Sequence, residues 1–136
     1  MKYLLDTSIL LWHVGKSKRF SEAARSILSD NTNEIYYSIV SIWEHAIKYI
    51  KKPEKTVNVS PQELSKLCLL SGLEELPLRA AHIYALETLS FPEDAKKQHN
   101  DPFDRILISQ AKSEGMILLT HDVLLPYYNE NCIVYV

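Results

Sequence analysis

"DPFDRILISQAKSEGMILLT", residues 101–120, holds a helix, its stop signal and a strand in one short stretch. Pro102 suits a first helical position, where its missing N–H costs nothing. Asp101, held extended by the proline that follows it, is a natural N-cap. From Pro102 the apolar residues recur at helical spacing until Gly115 ends the helix, and "MILLT" (116–120) follows as a short buried strand. A helix feeding directly into an apolar strand is the repeating unit of α/β architecture with a parallel sheet.

The same alternation extends outward on both sides. "KYLL" (2–5) reads as a first strand, with Thr7 or Ser8 expected to cap a helix running to about His13. "SEAARSILS" (21–29) is a helix opened by a serine cap. "EIYYS" (34–38) is a strand, and a helix covers 39–50. Residues 51–61 form a charged loop with proline near both ends, and 61–70 a helix with Pro61 in its first turn. A short strand at 73–78, a helix at 79–89, an irregular polar stretch at 90–100 and a last strand at 132–136 complete the pattern. At 136 residues the expectation is one domain, 1–136, with a mostly parallel sheet flanked by helices.

Composition narrows the function. Lys and Arg total 15 against 17 Asp and Glu, which excludes a strongly basic nucleic-acid coat but not a local basic patch. Cys68 and Cys132 have neither CxxC spacing nor a disulfide pattern. No apolar run approaches the roughly 18 residues of a membrane span, and no signal-peptide cleavage site follows the start, so a cytoplasmic location is expected. None of the three glycines sits in a phosphate-binding loop.

Acidic residues fall in informative places. Asp6 directly follows the first strand and Asp122 lies just beyond the 116–120 strand, at the carboxyl edge where open parallel sheets bind ligands. Either alone is equally well read as a helix cap; two at two strand ends point to a shared site. Asp104, the third helical residue, fits a capping box. At about 100° per residue, however, it falls between Ala111 and Ile108, so its side chain leans into the arc that packs on the sheet. A buried carboxylate is costly unless it is paired, hydrogen-bonded or bound to a metal. Glu44 borders Ser41, His45 and Lys48 beside an apolar face of Ile39, Trp43, Ala46, Ile47 and Ile50. Spacing alone favours a solvated Glu44–Lys48 pair.

Converging carboxylates cannot all stay ionised without a counter-charge, and all-oxygen ligation suits Mg²⁺ or Mn²⁺ rather than zinc. Thr7, Ser8 and Thr120 are candidate donors holding the acids or their waters. His13, His45, His82, His99 and His121 are too scattered for a metal cluster and read as surface or packing residues, as Trp12 and Trp43 read as core or interface. Lys16, Lys18 and Arg19, and again Lys51 and Lys52, form short basic runs: solvated loop, or phosphate contacts beside an acidic cleft.

In order, "LLDTSILLW" (4–12), the "SIVSIWEHAIK" segment (38–48), "HNDPFDRILISQA" (99–111) and "ILLTHD" (117–122) resemble the PIN-domain ribonucleases, specifically VapC-like toxins of toxin–antitoxin pairs. The resemblance covers nearly the whole chain and implies a PIN-like three-layer α/β fold with about five strands. It places the family's acidic quartet on Asp6, Glu44, Asp104 and Asp122, with Asp6, Asp104 and Asp122 as metal ligands, and so reads Glu44 as functional against the spacing. Asp101 takes an auxiliary place near the metal or at the helix cap. Thr7 and Thr120 match hydroxyl positions beside the acids, and Lys48 and Arg105 match positions this subgroup usually fills with the same residues, candidates for RNA contact. The family also implies Mg²⁺- or Mn²⁺-dependent endonucleolytic cleavage of RNA, a homodimer, and inhibition by a cognate antitoxin in the groove beside the acids. The competing readings are a nuclease acting on DNA, a phosphatase and a non-catalytic binding module. A haloacid-type phosphatase would need an aspartate where Ser8 stands.

Overall fold

The computed structural model describes residues 1–94 and 100–136; His99 and part of the polar 90–100 stretch lie outside the described residues. Five strands pair in one all-parallel sheet: β1 (Lys2–Leu5), β2 (Glu34–Ser38), β3 (Glu74–Leu76), β4 (Ile117–Thr120) and β5 (Ile133–Tyr135), in the order β3-β2-β1-β4-β5. Successive strand side chains point to opposite faces, which divides the apolar residues between two layers. Leu4 and Leu118 enter one core, with Ile106, Leu107, Ile108 and Ala111 packed over them. Leu5 and Leu119 enter the other, against Ile9, Leu10, Ala24, Leu64 and Cys68. Each leucine so enclosed contributes about 2 kcal/mol of burial energy.

The helices are α1 (Thr7–Val14), α2 (Glu22–Ser29), α3 (Ile39–Lys51), α4 (Pro61–Leu70), α5 (Ala80–Tyr84) and α6 (Pro102–Glu114), with short 3₁₀ turns at Pro53–Lys55, Ala85–Thr88 and Leu125–Tyr127. Among the described residues, none of these helices is long and apolar enough to cross a membrane. The α6 helix closes as its sequence requires. Asp101 Oδ1 accepts from the Phe103 and Asp104 amides, Pro102 takes the first turn, and Gly115 supplies the left-handed turn at φ +66° that a side chain would strain.

Three expectations need correction. The cap of α1 is Asp6, not Thr7 or Ser8: Asp6 is extended (φ −69°, ψ 168°) and its Oδ1 accepts from the Ile9 amide at 2.8 Å, so Thr7 is already helical. The 79–89 helix breaks after Tyr84 into a 3₁₀ turn, with the Thr88 hydroxyl donating to the Ala85 carbonyl. The largest departure is in α3, whose apolar face is only partly covered: Ile39 packs on the core, but the face as a whole does not point inward. Trp43 is 59 % and Ile50 80 % exposed, while Val40, Ser41, Ile42 and His45 are buried. The helix leaves β2 without a linker, so the strand direction sets its rotation. Val40 consequently reaches one core and Ile42 the other. The polar residues carried inward are satisfied: His45 Nε2 donates to the Val59 carbonyl at 2.7 Å, and Ser41 meets Thr7.

His82 is likewise a packing histidine, accepting from the Arg79 amide and donating to Glu114. Both cysteines are free, Cys68 buried and Cys132 half-buried.

Candidate active site

The chain runs β1, β2, β3 toward one edge of the sheet, then returns to place β4 and β5 on the other side of β1. The reversal lies between β1 and β4, the switch point where loops diverge and leave a crevice at the carboxyl ends of the strands. Asp6 stands there on β1. Thr120, the last residue of β4, and Asp122 beyond it stand beside Asp6. From the β2 side α3 brings Glu44, and α6 presents its N-terminal turn with Asp101 and Asp104.

Hydrogen bonds fix this geometry. Asp6 is buried, and its Oδ2 accepts from the Thr120 hydroxyl at 2.5 Å while its Oδ1 caps α1. The same Thr120 oxygen accepts from the Asp122 amide at 3.0 Å, so one buried hydroxyl sets the spacing of both acids. Asp122 Oδ1 in turn accepts from the Leu124 amide at 2.9 Å. The Thr7 hydroxyl donates to Glu44 Oε1 at 2.8 Å and lies 2.9 Å from the Ser41 hydroxyl. Lys48 Nζ donates to Glu44 Oε2 at 3.0 Å, so the helical ion pair and the inward contact coexist, one on each carboxylate oxygen.

Electrostatics bring these groups into one field. Burial lifts the half-buried Asp104 carboxyl to about 7, with the charges of Asp101, Asp6, Glu44 and Asp122 pushing the same way. Asp6 is also raised, chiefly by burial and slightly by Asp122, against the lowering hydrogen bonds from Thr120, Ile9 and His121. A carboxyl that feels four other carboxylates is the signature of a pocket short of positive charge.

The sequence-derived candidates therefore gather at one strand edge. Asp6, Glu44, Asp104 and Asp122 face a common space, Asp101 caps α6 beside it, and Thr7 and Thr120 hold acids in place. Ser8 is exposed on α1. Arg105 packs over the Tyr128 ring at 5.6 Å, its guanidinium donating to the Tyr128 hydroxyl at 3.1 Å. Two positioning residues escaped the sequence reading. Ser41 shares a face with Glu44 three residues on, a spacing that pointed to it. Ser38, the last residue of β2 and the cap of α3, donates to Gln110 of α6 at 2.6 Å, a contact across 72 residues that no local pattern announces.

Among the described residues, no three His, Cys, Asp or Glu side chains close tightly enough to enclose an ion by themselves. The donor set nonetheless fits a hard cation of the Mg²⁺ kind. Such an ion keeps several waters and is held by one or two carboxylates plus substrate oxygens, not by an all-protein cage.

Fold and site together define an α/β protein with an acidic crevice at the switch point of a five-stranded parallel sheet. The chain belongs to the PIN domain family, which it matches over residues 3–128. No curated protein sequence matches it. Among solved structures it is similar to a chain of VapBC2 from Rickettsia felis bound to a promoter DNA fragment, at 20% identity and TM-score 0.71, covering 99% of this chain and 98% of that one. DNA-bound VapBC from Salmonella typhimurium follows at 16% identity and TM-score 0.66, covering 99% and 98%. VapBC-5 from Mycobacterium tuberculosis, described as a toxin–antitoxin system, matches at 13% identity and TM-score 0.63, covering 99% and 97%.

Proposed function

We propose that the chain is a Mg²⁺- or Mn²⁺-dependent endoribonuclease acting as a VapC-like toxin, with Asp6, Glu44, Asp104 and Asp122 as its working acids. The observation that carries this reading is the crowding at Asp104, whose carboxyl is held near 7 by burial and by four neighbouring acids. Helix caps alone would have no reason to face one another. Family membership supports the nuclease class, and the solved toxin–antitoxin neighbours support an antitoxin partner.

Of Asp6, Asp104 and Asp122, one or two carboxylates at a time would hold the cation, with water and substrate oxygens filling its other positions. When bound, it supplies a Lewis acid for a phosphoryl oxygen and lowers the pKa of an attacking water. The chain's own groups do the rest. Thr120 fixes the separation of Asp6 and Asp122, Thr7 and Lys48 orient Glu44, and Asp101 seats the turn that carries Asp104. Protein partners need apolar surface. Trp43 and Ile50 of α3 supply it, together with a groove of about 330 Å³ between Val40, Trp43, Leu78, Ile83, Phe103 and Ile106 beside the acids. We assign these surfaces to the antitoxin segment and to a homodimer contact.

The test is incubation of purified protein with end-labelled RNA, labelled single-stranded DNA and a small phosphate ester, with Mn²⁺ or with chelator. Internal cutting of RNA only, lost on chelation and in folded Asp6→Asn or Asp104→Asn, is expected. Folded variants that cut RNA at the wild-type rate would refute the assignment, and cutting of DNA alone would move it to the second substrate.

A further inference from the structure

On the β5 side of the acids, opposite Glu44, a run of rings lies along the carboxyl edge of the sheet. The Tyr135 ring stacks on His121, centroids 5.0 Å apart and planes 23° from parallel. His121 meets Trp12 edge-on at 5.2 Å, and Trp12 meets Phe20 at 6.1 Å. The Arg19 guanidinium lies 5.7 Å from the Trp12 ring centre and extends the run with a planar cation.

This run adjoins the acidic crevice. The His121 backbone amide hydrogen-bonds to the Asp6 carboxylate. Tyr135 pairs in register with Thr120, the residue whose hydroxyl holds Asp6, which puts the two one strand spacing apart, about 4.8 Å. The His121 ring is fixed in turn, its Nδ1 donating to the Val136 carbonyl at 2.9 Å.

Packing the chain end against α1 would account for the contacts but not for their exposure. Trp12 and Phe20 are half-buried against the core and anchor the run, whereas Tyr135 is 45 % exposed and His121 is exposed too. Lys16, Lys18 and Arg19 stand in solvent at the Trp12 end. Rigid aromatic faces beside mobile cations form the surface that single strands use: bases stack, phosphates pair with cations, and sequence matters little.

We propose that the Tyr135–His121–Trp12 run is a base-stacking subsite for single-stranded RNA, in which an unpaired base lies on the outer face of Tyr135. Arg19, Lys16 and Lys18 take phosphates toward the other end. The inference deepens the nuclease reading, resting on it for the place of the bond to be cut. It makes the chain select unpaired over duplex RNA, since a paired base has no free face to offer the ring.

Binding without turnover tests it. Fluorescence anisotropy of a short labelled single-stranded oligoribonucleotide is measured in chelator with wild type, Tyr135→Leu, Tyr135→Phe and Arg19→Gln. An abasic oligomer with the same backbone, and a duplex of the same sequence, serve as comparisons. Tyr135→Leu is expected to weaken binding of the intact strand roughly tenfold, the loss of one stacked base, while Tyr135→Phe keeps wild-type affinity. The abasic strand should bind wild type and Tyr135→Leu alike. Arg19→Gln should weaken intact and abasic strands together and flatten the salt dependence by about one phosphate contact.

Wild-type affinity in Tyr135→Leu, an equal loss with the abasic strand, or equal binding of duplex and single strand overturns the subsite. So does failure of the wild type to bind the intact strand. The nuclease reading falls separately: a chain that cuts RNA with Mn²⁺ but binds independently of Tyr135 keeps its activity assignment and loses the subsite. Ring-dependent binding without cleavage does the reverse.

Discussion

Replacing Asp104 by asparagine should make the metal-free protein more stable at pH 8 and change its stability much less at pH 4.5, near the lower end of the titration window. The folded-state carboxyl titrates at about 7 against an ordinary 3.8. Between those values the folded chain binds more protons than the unfolded chain, so stability falls as pH rises through the window and is fully retained below it. A shift of about 3 units corresponds to about 4 kcal/mol at 1.36 kcal/mol per unit. Asp104 is only half-buried, and screening by water cuts this to about 2 kcal/mol. The asparagine carries no charge to suppress, so it escapes the penalty.

For a chain of this length, 2 kcal/mol is roughly 6–10 °C in Tm. Thermal unfolding in chelator, followed by circular dichroism at both pH values, reads the difference between differences. Any change in local packing that does not depend on pH then cancels. Saturating Mn²⁺ should raise the wild-type Tm at pH 8 far more than that of the variant, because a cation neutralises the charge the asparagine has already removed. Equal pH dependence in the two proteins would show that Asp104 sits in no anionic pocket, and the electrostatic basis of the site would fail with it.

Two further variants probe the supports. Thr120→Val removes the donor to Asp6 and the acceptor for the Asp122 amide, so Mn²⁺ affinity by titration calorimetry should drop between about 10- and 100-fold; undiminished affinity would mean the hydroxyl does not set the spacing of the acids. Asp101→Ala removes the α6 cap and should cost about 1 kcal/mol in urea unfolding at pH 5. At pH 8 the loss should be smaller, because Asp101 is the neighbouring charge that raises Asp104 most; a loss that is the same at both pH values would deny that coupling.

Local rules made the elements legible. The serine cap at Ser21, prolines at 61 and 102, and Gly115 with its left-handed turn are decided within a few residues, and each stands where the sequence put it. The strand-end positions of Asp6 and Asp122 were readable for the same reason, as was the inward lean of Asp104, because helical phase needs only the residues of its own helix. The cap of α1 is ambiguous in sequence because Asp6, Thr7 and Ser8 are all good cap residues, and only the end of β1 selects among them.

Tertiary structure alone decided the rest. The α3 periodicity gave an apolar face with Trp43 as core or interface; the direct exit from β2 leaves Trp43 and Ile50 in solvent and buries Ser41 and His45, because a helix's rotation is set by what it packs on. Spacing left Glu44 between a solvated pair with Lys48 and a place in the acidic site; the fold gives it Lys48 on one oxygen and Thr7, beside Asp6, on the other. Sequence alone could not place Tyr135 next to His121, or Ser38 against Gln110, since those contacts depend on strand order and sheet register. Propensity and phase act over a turn of helix or a strand's length. The meeting of Asp6, Glu44, Asp104 and Asp122 is a property of the sheet's reversal between β1 and β4, which only long-range packing fixes.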